Sequence, residues 1–198
     1  MQNENSSCNG TLTGGDERFT WTYTGGIANG IRHGKGKCVY SNGGEYEGDW
    51  LDGKPGGKGK MISAKGIVYE GEWLDGKPSG KGKKILANGG EYEGDWLDGK
   101  QSGKGKYTWP KGNEYEGDLL DGKFHGKGKL TWTKGDKYEG DFLDGKFHGK
   151  GKLTFASGNV YEGDFVDDVR TGKGKMTLAN GEVAYEGDWH NDKPAEVI

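Results

Sequence analysis

The sequence predicts an all-β protein made of stacked β-hairpins, and three observations support this prediction. A tyrosine recurs every 23 residues along most of the chain. Apolar and charged residues alternate around each of these tyrosines, as side chains do on the two faces of a strand. Glycine supplies 42 of the 198 residues. Glycine at this frequency argues against long helices, because it destabilises a helix interior.

The repeat is the feature that organises the chain. Seven tyrosines keep one register, at Tyr23, Tyr46, Tyr69, Tyr92, Tyr115, Tyr138 and Tyr161. Tyr185 follows one residue late and opens a partial eighth copy. A period of this length is typical of stacked supersecondary units. We therefore divide the chain into a polar N-terminal segment or cap (1–18), a repeat array (19–193) and a C-terminal tail (194–198).

Each repeat reads as a strand, a turn and a second strand. In the segment 46–50, Tyr46 and Trp50 share one face with a glycine between them, and two acids occupy the other face. The following segment, 51–55, contains Asp-Gly and proline, which favour a turn. Alternation resumes near 58–62, which predicts the second strand. A return turn is expected at 63–66.

The alternation gives the predicted sheet two chemically different faces. One face carries columns of equivalent aromatic and aliphatic side chains. The other pairs acids of the first strand with lysines of the second, such as Glu93 and Asp95 with Lys104 and Lys106. Opposite charges across neighbouring strands contribute about 0.2–1 kcal/mol each. The charges therefore have a structural explanation.

Composition excludes several classes of protein. The charges nearly cancel, at a net −3, and no basic cluster suggests a nucleic-acid partner. No stretch approaches the ~20 apolar residues of a membrane-spanning helix. The N-terminus lacks the apolar segment of a signal peptide. Cys8 and Cys38 do not make a disulfide framework. We expect an intracellular, reducing location.

Motifs that suggest chemistry have simpler explanations here. The segment 76–82 is one residue short of a phosphate loop and lacks the hydroxyl residue after its lysine. His125 and His148 lie one repeat apart, about 10 Å across two strand spacings, which is too far to share a zinc ion. Carboxylate pairs occur in every repeat, whereas an active site is normally unique. We predict no enzyme activity, no metal and no cofactor.

The repeat unit resembles the MORN (membrane occupation and recognition nexus) repeat. The best matches are 115–129 and 138–152, where Phe-His-Gly-Lys-Gly is similar to the family's motif. The resemblance implies an elongated, single-layer antiparallel sheet of hairpins. It departs from the family pattern at Leu119, where an aromatic residue is usual, and at Asp168 and Asp192, where the turn usually has glycine. Aspartate tolerates turn conformations, so we expect only local adjustment.

The aromatic face is the candidate for function. A single-layer sheet has no second layer to cover that face, and exposed apolar surface usually marks an interaction site. We expect a protein-binding groove on this face, and we expect the two ends of the sheet to be available for docking as well. The predicted groove residues are Tyr69, Trp73, Tyr92, Trp96, Tyr107, Trp109, Tyr115, Trp132, Tyr138, Phe142 and Phe155.

Both ends of the array carry separate expectations. The segment 11–15 is expected to fold back as a short cap on the first strand. At the other end, Tyr185 and Trp189 are predicted to form a C-terminal docking edge for a second copy or another subunit. The resemblance implies a scaffold in cytoskeletal or ciliary assemblies, such as axonemal radial spokes. The alternative is binding to anionic phospholipid, although most lysines here are matched by acids.

Overall fold

A computed structural model describes residues 7–16 and 19–195 of the chain. The expectations for the remainder of the N-terminal segment and for residues 196–198 lie outside the described residues. The chain divides into two compact units, Met1–Lys100 and Gln101–Ile198. The described residues contain strands and turns but no helix.

In each unit the strands follow one another in chain order. Every strand of the first unit pairs antiparallel with the next. These strands are β1 (Ser7–Gly15), β2 (Thr20–Ala28), β3 (Ile31–Tyr40), β4 (Glu45–Leu51), β5 (Lys54–Ile62), β6 (Val68–Leu74), β7 (Lys77–Ile85) and β8 (Glu91–Leu97).

The second unit has the same arrangement. Its strands are β9 (Lys100–Thr108, whose first residue closes the first unit), β10 (Glu114–Leu120), β11 (Lys123–Thr131), β12 (Lys137–Leu143), β13 (Lys146–Thr154), β14 (Val160–Val166), β15 (Val169–Thr177), β16 (Val183–His190) and β17 (Lys193–Pro194). The all-β fold of repeated antiparallel hairpins, predicted from the sequence, is confirmed.

The hairpin turns are tighter than expected. We predicted a turn over 51–55, but only Asp52 and Gly53 lie between β4 and β5. Both have positive φ, 48° and 80°, which is the type I′ geometry that Asp-Gly favours in two-residue hairpins. Asp168 and Asp192 adopt the same conformation at φ 73° and 66°. The missing glycine at these two turns therefore causes only local adjustment.

Four hairpins, β4–β5, β10–β11, β12–β13 and β14–β15, contain a bulge beside the aspartate of the repeat. In β10 and β11 the pairing shifts between Gly117 and Asp118. The Asp118 carboxylate accepts a hydrogen bond of 3.0 Å from the Lys127 backbone N–H, and Gly126 has φ +58°. The same bond joins Asp49 to Lys58. Bulges bend the strand that contains them, and this bend positions the aromatic face described below.

The segment expected as an N-terminal cap forms β1. Its pairing with β2 runs from Ser7 opposite Ala28 to Gly15 opposite Thr20. Leu12 lies opposite Tyr23, so the strand continues the alternation of the array. The segment is therefore a full strand, longer than the fold-back we expected over 11–15.

Candidate protein-binding face

The tyrosine of each repeat lies flat along its own strand. The Tyr46 hydroxyl donates a hydrogen bond of 2.9 Å to the Asp49 carbonyl, three residues further on. The Tyr115 hydroxyl does the same to Asp118 at 2.6 Å. Gly59 lies beneath the Tyr46 ring, where an added Cβ would overlap the hydroxyl oxygen. Glycine is therefore required at this position to let the ring approach the backbone.

A second ring fills the space between successive tyrosines. Trp73 packs edge-on against Tyr46 and Tyr69, with centroid distances of 5.1 and 5.0 Å. Phe142 packs in the same way between Tyr115 and Tyr138, at 5.2 and 5.1 Å. Edge-to-face contacts of this kind add about 0.5–1.5 kcal/mol to the effect of burial. The rings thus form one continuous row within each unit.

The row buries most of the predicted groove residues. Seven of the eleven are at most 6% exposed, and they are Tyr69, Trp73, Tyr92, Trp96, Tyr115, Tyr138 and Phe142. Burial also raises the pKa of Tyr69 and Tyr92 to about 12. These side chains form the core of the sheet, so a ligand cannot contact them directly.

The other four predicted residues remain half-buried, namely Tyr107, Trp109, Trp132 and Phe155. Tyr107 lies near the end of β9, and Trp109, Trp132 and Phe155 directly follow the last residues of β9, β11 and β13, at the return turns. All four belong to the second unit. This end of the aromatic face is therefore the part that is accessible to a partner.

Phe124 and Phe147, which were not among the predicted groove residues, complete this surface. Phe124 stacks on Tyr115 with a centroid distance of 3.7 Å and an interplanar angle of 13°. Phe147 stacks on Tyr138 at 3.7 Å and 10°. The two phenylalanines lie 23 residues apart, at the same position of successive repeats. The repeat period was therefore a signal that could have identified them.

The half-buried rings contact one another because the strands of each hairpin bend along their length. Trp109 pairs with Asn113 through its backbone N–H, and Phe124 lies opposite Leu119. These levels are six residues apart, about 20 Å in an extended strand, yet the rings of Trp109 and Phe124 are 5.9 Å apart. Trp132 and Phe147 approach to 6.0 Å in the next repeat. Opposite ends of the hairpins therefore close over the tyrosine between them.

We name this surface the aromatic patch. It consists of Tyr107, Trp109, Phe124, Trp132, Phe147 and Phe155. Its tryptophans differ from those of the buried row. The indole N–H of Trp73 donates a hydrogen bond of 3.0 Å to the Gly59 carbonyl, and that of Trp96 donates one of 3.0 Å to Gly82.

Neither indole N–H of the aromatic patch has such a partner. Within the described residues, the Nε1 atoms of Trp109 and Trp132 donate no hydrogen bond to the protein, and neither is among the buried unpaired polar atoms. Both N–H groups therefore reach solvent. An exposed donor held in a packed ring is available to a carbonyl group of a ligand.

Arginine takes the place of phenylalanine near both ends of the array. The Arg32 guanidinium lies 4.4 Å from the ring centroids of both Trp21 and Trp50. Arg170 lies 5.0 Å from the Trp189 centroid and forms an ion pair of 2.9 Å with Asp192. Cation–π contacts of this kind stabilise the local packing. Each arginine covers part of the buried row, and Arg170 also lies 5.9 Å from the ring centroid of Phe155 in the aromatic patch.

The predicted C-terminal docking edge is only partly accessible. Trp189 is 2% exposed, and its indole N–H donates to the Gly174 carbonyl at 3.0 Å. Tyr185 is half-buried. Among the described residues, β17 pairs with β16 only through Pro194 and Lys193.

The charged face is a ladder of ion pairs that joins successive hairpins. Lys104 contacts Asp118 at 2.6 Å, and Lys106 contacts Glu114 at 2.9 Å. Asp95 contacts Lys81 at 2.5 Å. We expected pairs within one hairpin, but these lysines bridge to the acid of the following hairpin. Asp118 lies directly opposite Lys104 of the preceding hairpin, whereas the bulge places it opposite His125 within its own hairpin.

An aspartate of the ladder therefore links its own strand to the strands on both sides. Asp118 binds the Lys104 ammonium of β9 and the Lys127 backbone N–H of β11. The side-chain hydrogen bond from Lys104 lowers the pKa of the Asp118 carboxyl. The Lys35 side chain lowers the pKa of Asp49 in the same way. The ladder keeps these carboxylates charged and already hydrogen-bonded to the protein.

Two further features of this face were not predicted. A row of aliphatic side chains precedes the hairpin turns, and Leu74 is 63% exposed. The row contains Leu51, Leu74, Leu97, Leu120, Leu143 and Val166. His125 and His148 each hold a buried Nδ1 atom without a hydrogen-bond partner in the described structure.

Among the described residues, no group of three or more histidine, cysteine, aspartate or glutamate side chains could hold a metal ion. The described part of the chain also contains no helix able to span a bilayer. The arrangement offers a packed aromatic surface with open N–H donors, and exposed lysines at 111 and 134 that form no ion pair within the described residues. These groups suit the recognition of another polypeptide.

Comparison with known proteins identifies the repeat. A family model described as "MORN repeat" matches residues 23–45, 46–68, 69–91, 92–114, 115–137, 138–160, 161–183 and 185–195. These matches cover nearly all of the array that we delimited from the sequence. A search of curated proteins gave no match.

Two solved structures are similar in part. The TCP domain of SAS-4 (dCPAP) from Drosophila melanogaster, in complex with a proline-rich motif of Ana2, is 15% identical, with a TM-score of 0.49. The similarity covers 78% of this chain and 84% of that one. The TCP10 domain of Danio rerio CPAP is 10% identical over 86% of this chain and 78% of that one, with a TM-score of 0.41. Both TM-scores lie below 0.5, so neither structure informs the function of this chain.

Proposed function

The chain belongs to the MORN repeat family, and we propose that it is a scaffold that binds another protein through the aromatic patch of its second unit. The observation that carries this proposal is the set of half-buried rings at 107–155, two of which present unpaired indole N–H groups. The proposal narrows the groove expected from the sequence to the residues that a partner can reach. A cytoskeletal or ciliary assembly is the setting that the family resemblance favours.

The aromatic patch is rigid before any partner binds. Trp109 contacts Tyr107 at 4.6 Å and Phe124 at 5.9 Å, and Phe124 in turn stacks on buried Tyr115. Binding therefore costs little side-chain entropy, which favours affinity. Tryptophan and tyrosine are also the residues that most often dominate binding energy at interfaces.

The first unit has accessible rings near its start, where half-buried Tyr40 lies at the position equivalent to Trp109 and stacks on Phe19 at 5.5 Å. At the next two equivalent positions it has Ser63 and Leu86, which are not aromatic. Trp50 and Trp73, in the middle of this unit, are only 2% and 5% exposed. We therefore assign partner binding to the second unit.

Phospholipid binding has less support. The lysines of the charged face contact acids, for example Lys127 with Asp141 at 2.5 Å and Lys150 with Asp164 at 2.6 Å. Membrane-surface binding requires unopposed basic residues. Sedimentation with anionic vesicles at physiological salt should leave the protein in the supernatant. Retention that high salt reverses would favour the lipid alternative.

Self-association through the C-terminal edge stays a separate proposal. Among the described residues, β17 pairs with the Trp189–His190 end of β16, and the Ala195 N–H donates to the Asp188 carbonyl at 2.7 Å. The part of β16 before Asp188 is the candidate edge, because the backbone of an open edge readily pairs with another strand. Light scattering over a range of concentrations should detect a dimer. A protein that remains monomeric at every concentration would contradict this proposal without affecting the aromatic patch.

Site-specific photo-crosslinking tests the main proposal. A benzoyl-phenylalanine would replace Lys111 or Lys134, which follow Trp109 and Trp132 by two residues and are exposed. The matched control replaces Lys129, an exposed lysine on the charged face of the same unit. In cells of the native source, we expect one discrete protein adduct from positions 111 and 134 and none from 129.

A second variant links the adduct to the rings. Trp109→Ala with Trp132→Ala should remove the adduct, while circular dichroism reports whether the sheet still folds. An adduct of equal intensity from position 129, or one that survives the double substitution in a folded protein, would refute binding at the aromatic patch.

A further inference from the structure

We infer that the aromatic patch binds a proline-rich peptide in the polyproline II conformation, laid across the strands and carrying acidic residues toward the return turns. This inference rests on the proposed function and specifies the chemistry of the partner. Three observations support it: the spacing of the rings, the unpaired indole donors and the charge beside them.

The spacing of the patch matches the period of a polyproline II helix. Trp109, Trp132 and Phe155 follow alternate strands, β9, β11 and β13. Two strand spacings amount to about 9.6 Å. A polyproline II helix advances about 9.3 Å in three residues and then presents the same face. Prolines at every third position can therefore contact successive rings without distortion of the peptide.

The unpaired donors match the unpaired acceptors of such a peptide. A polyproline II helix has no internal hydrogen bonds, so its carbonyl groups remain open. The indole N–H groups of Trp109 and Trp132 have no acceptor in the described part of the protein. Each can donate to a peptide carbonyl while its ring packs against a proline. A helical peptide would satisfy its own carbonyls internally and leave these donors unused.

Strand addition is not available at this surface. The interior strands of the second unit, from β10 to β15, are each paired on both sides. A ligand on the patch cannot extend the sheet through backbone hydrogen bonds. It must cross the strands and contact side chains, as proline-rich peptides do in aromatic grooves.

The charge beside the patch specifies the flanks of the peptide. Lys111 and Lys134 are exposed, and neither forms an ion pair within the described residues. The neighbouring acids are occupied, because Glu114 contacts Lys106 and Asp136 accepts a hydrogen bond from the Ala156 N–H. The Asp136 carboxylate keeps its negative charge and offsets Lys134, so the net positive charge lies at the 109–113 turn, around Lys111. This charge beside Trp109 is complementary to aspartate or glutamate in the ligand.

Fluorescence polarisation with defined peptides tests the inference on the full chain. The probe is a labelled peptide of about ten residues, about 31 Å long as polyproline II, with proline at every third position and aspartate at both ends. A shuffled peptide of equal composition lacks the period. We expect saturable binding of the first and at least about tenfold weaker binding of the second. Equal binding of the two would overturn the inference.

Conservative substitutions separate the donors from the rings. Trp109→Phe and Trp132→Phe retain an aromatic ring and remove the N–H, so each should weaken probe binding about three- to tenfold. The matched control is Trp96→Phe, because that indole donates to Gly82 inside the sheet. The control should leave affinity unchanged. Full affinity in both patch variants would refute the role of the donors.

Charge reversal at the lysines provides the last test of the inference. Lys111→Glu with Lys134→Glu should weaken the aspartate-ended probe and strengthen one that ends in lysine. Indifference to the ends of the peptide would overturn the assigned flanks. If the crosslinked adduct at positions 111 and 134 is present but no periodic proline peptide binds, this inference fails while the proposed function stands.

Discussion

Two regions of the molecule solve the same packing problem in different ways. The repeats at 46–91 place tryptophan between the tyrosines and have proline opposite it, at the position equivalent to Phe147, as in Trp73 and Pro78. The repeats at 115–160 place a smaller residue between the tyrosines and an aromatic ring on top, as in Phe142 and Phe147. Total volume is roughly maintained, as close-packed interiors require.

The difference has a functional consequence. In the first region the indole N–H lies inside the sheet and donates a hydrogen bond to a glycine carbonyl, as Trp73 does to Gly59. The indole of Trp132 in the second region, and that of Trp109 just before it, lie outside the row, and their N–H groups have no acceptor within the described residues. The same kind of residue is structural in one column and available for recognition in the other.

High pH should unfold both regions, because they share the buried tyrosine column. Burial raises the pKa of Tyr69 in the first region to about 12, and it raises the pKa of Tyr138 in the second region well above the usual value of about 10. A raised folded-state pKa gives stability that is complete below pH 10 and is lost as pH rises toward 12. Circular dichroism and tyrosinate absorbance should change together in that window. Ionisation of all tyrosines near pH 10 in a folded protein would contradict the burial.

The glycine beneath the tyrosine ring should be indispensable in both regions. Gly59→Ala and Gly128→Ala each add a Cβ that would overlap the hydroxyl end of Tyr46 or Tyr115. Overpacking of this kind costs about 3 kcal/mol at the upper end of its usual range. Urea unfolding monitored by tryptophan fluorescence gives the value. A loss below about 0.5 kcal/mol at either site would mean that the ring does not rest on the glycine.

A double-mutant cycle can test whether the two packing solutions are interchangeable. Trp73→Phe should cost about 1–2 kcal/mol, because it removes a buried hydrogen bond and leaves a small void. Pro78→Phe alone should crowd the same site. Together they recreate the Phe142–Phe147 arrangement, so we expect the double variant to recover about 1 kcal/mol relative to additivity. Strict additivity of the unfolding free energies would show that the two columns are not coupled.

The smallest effect is expected on the leucine row. Leu74 is 63% exposed on the charged face, and surface substitutions of this kind usually change stability by less than about 0.5 kcal/mol. Leu74→Ser in the first region and Leu120→Ser in the second should therefore both melt close to the wild-type temperature. A marked drop in either region would reveal that its leucine is covered in solution.

Much of the fold could be predicted because the same strand–turn–strand pattern occurs in seven successive repeats. The tyrosine period placed one hairpin in each copy, and alternation assigned Tyr46 and Trp50 to the face opposite Glu47. The structure confirms this assignment, since Tyr46 is fully buried and Glu47 is exposed. The turn residues Asp-Gly also indicated where each hairpin reverses, although the turn is shorter than predicted.

The candidate site could be predicted only in outline. Alternation identifies the face of a side chain but not its depth, so buried Tyr115 and half-buried Tyr107 were assigned to one groove. The ion pairs were predicted in kind, but Lys104 contacts Asp118 of the next hairpin. Phe124 was missed because its contact with Tyr115 joins positions that an extended strand would keep far apart.

The sequence by itself determined the repeat, the strand order within each unit and the chemistry of the two faces, because these depend on local periodicity and turn geometry. Tertiary structure decided which aromatic rings are buried and which remain accessible. The bulge beside Asp118 bends the hairpin, and the bend brings Trp109 and Phe124 together over Tyr115. That curvature acts between residues distant along the strand, so no pattern of neighbouring residues encodes it directly.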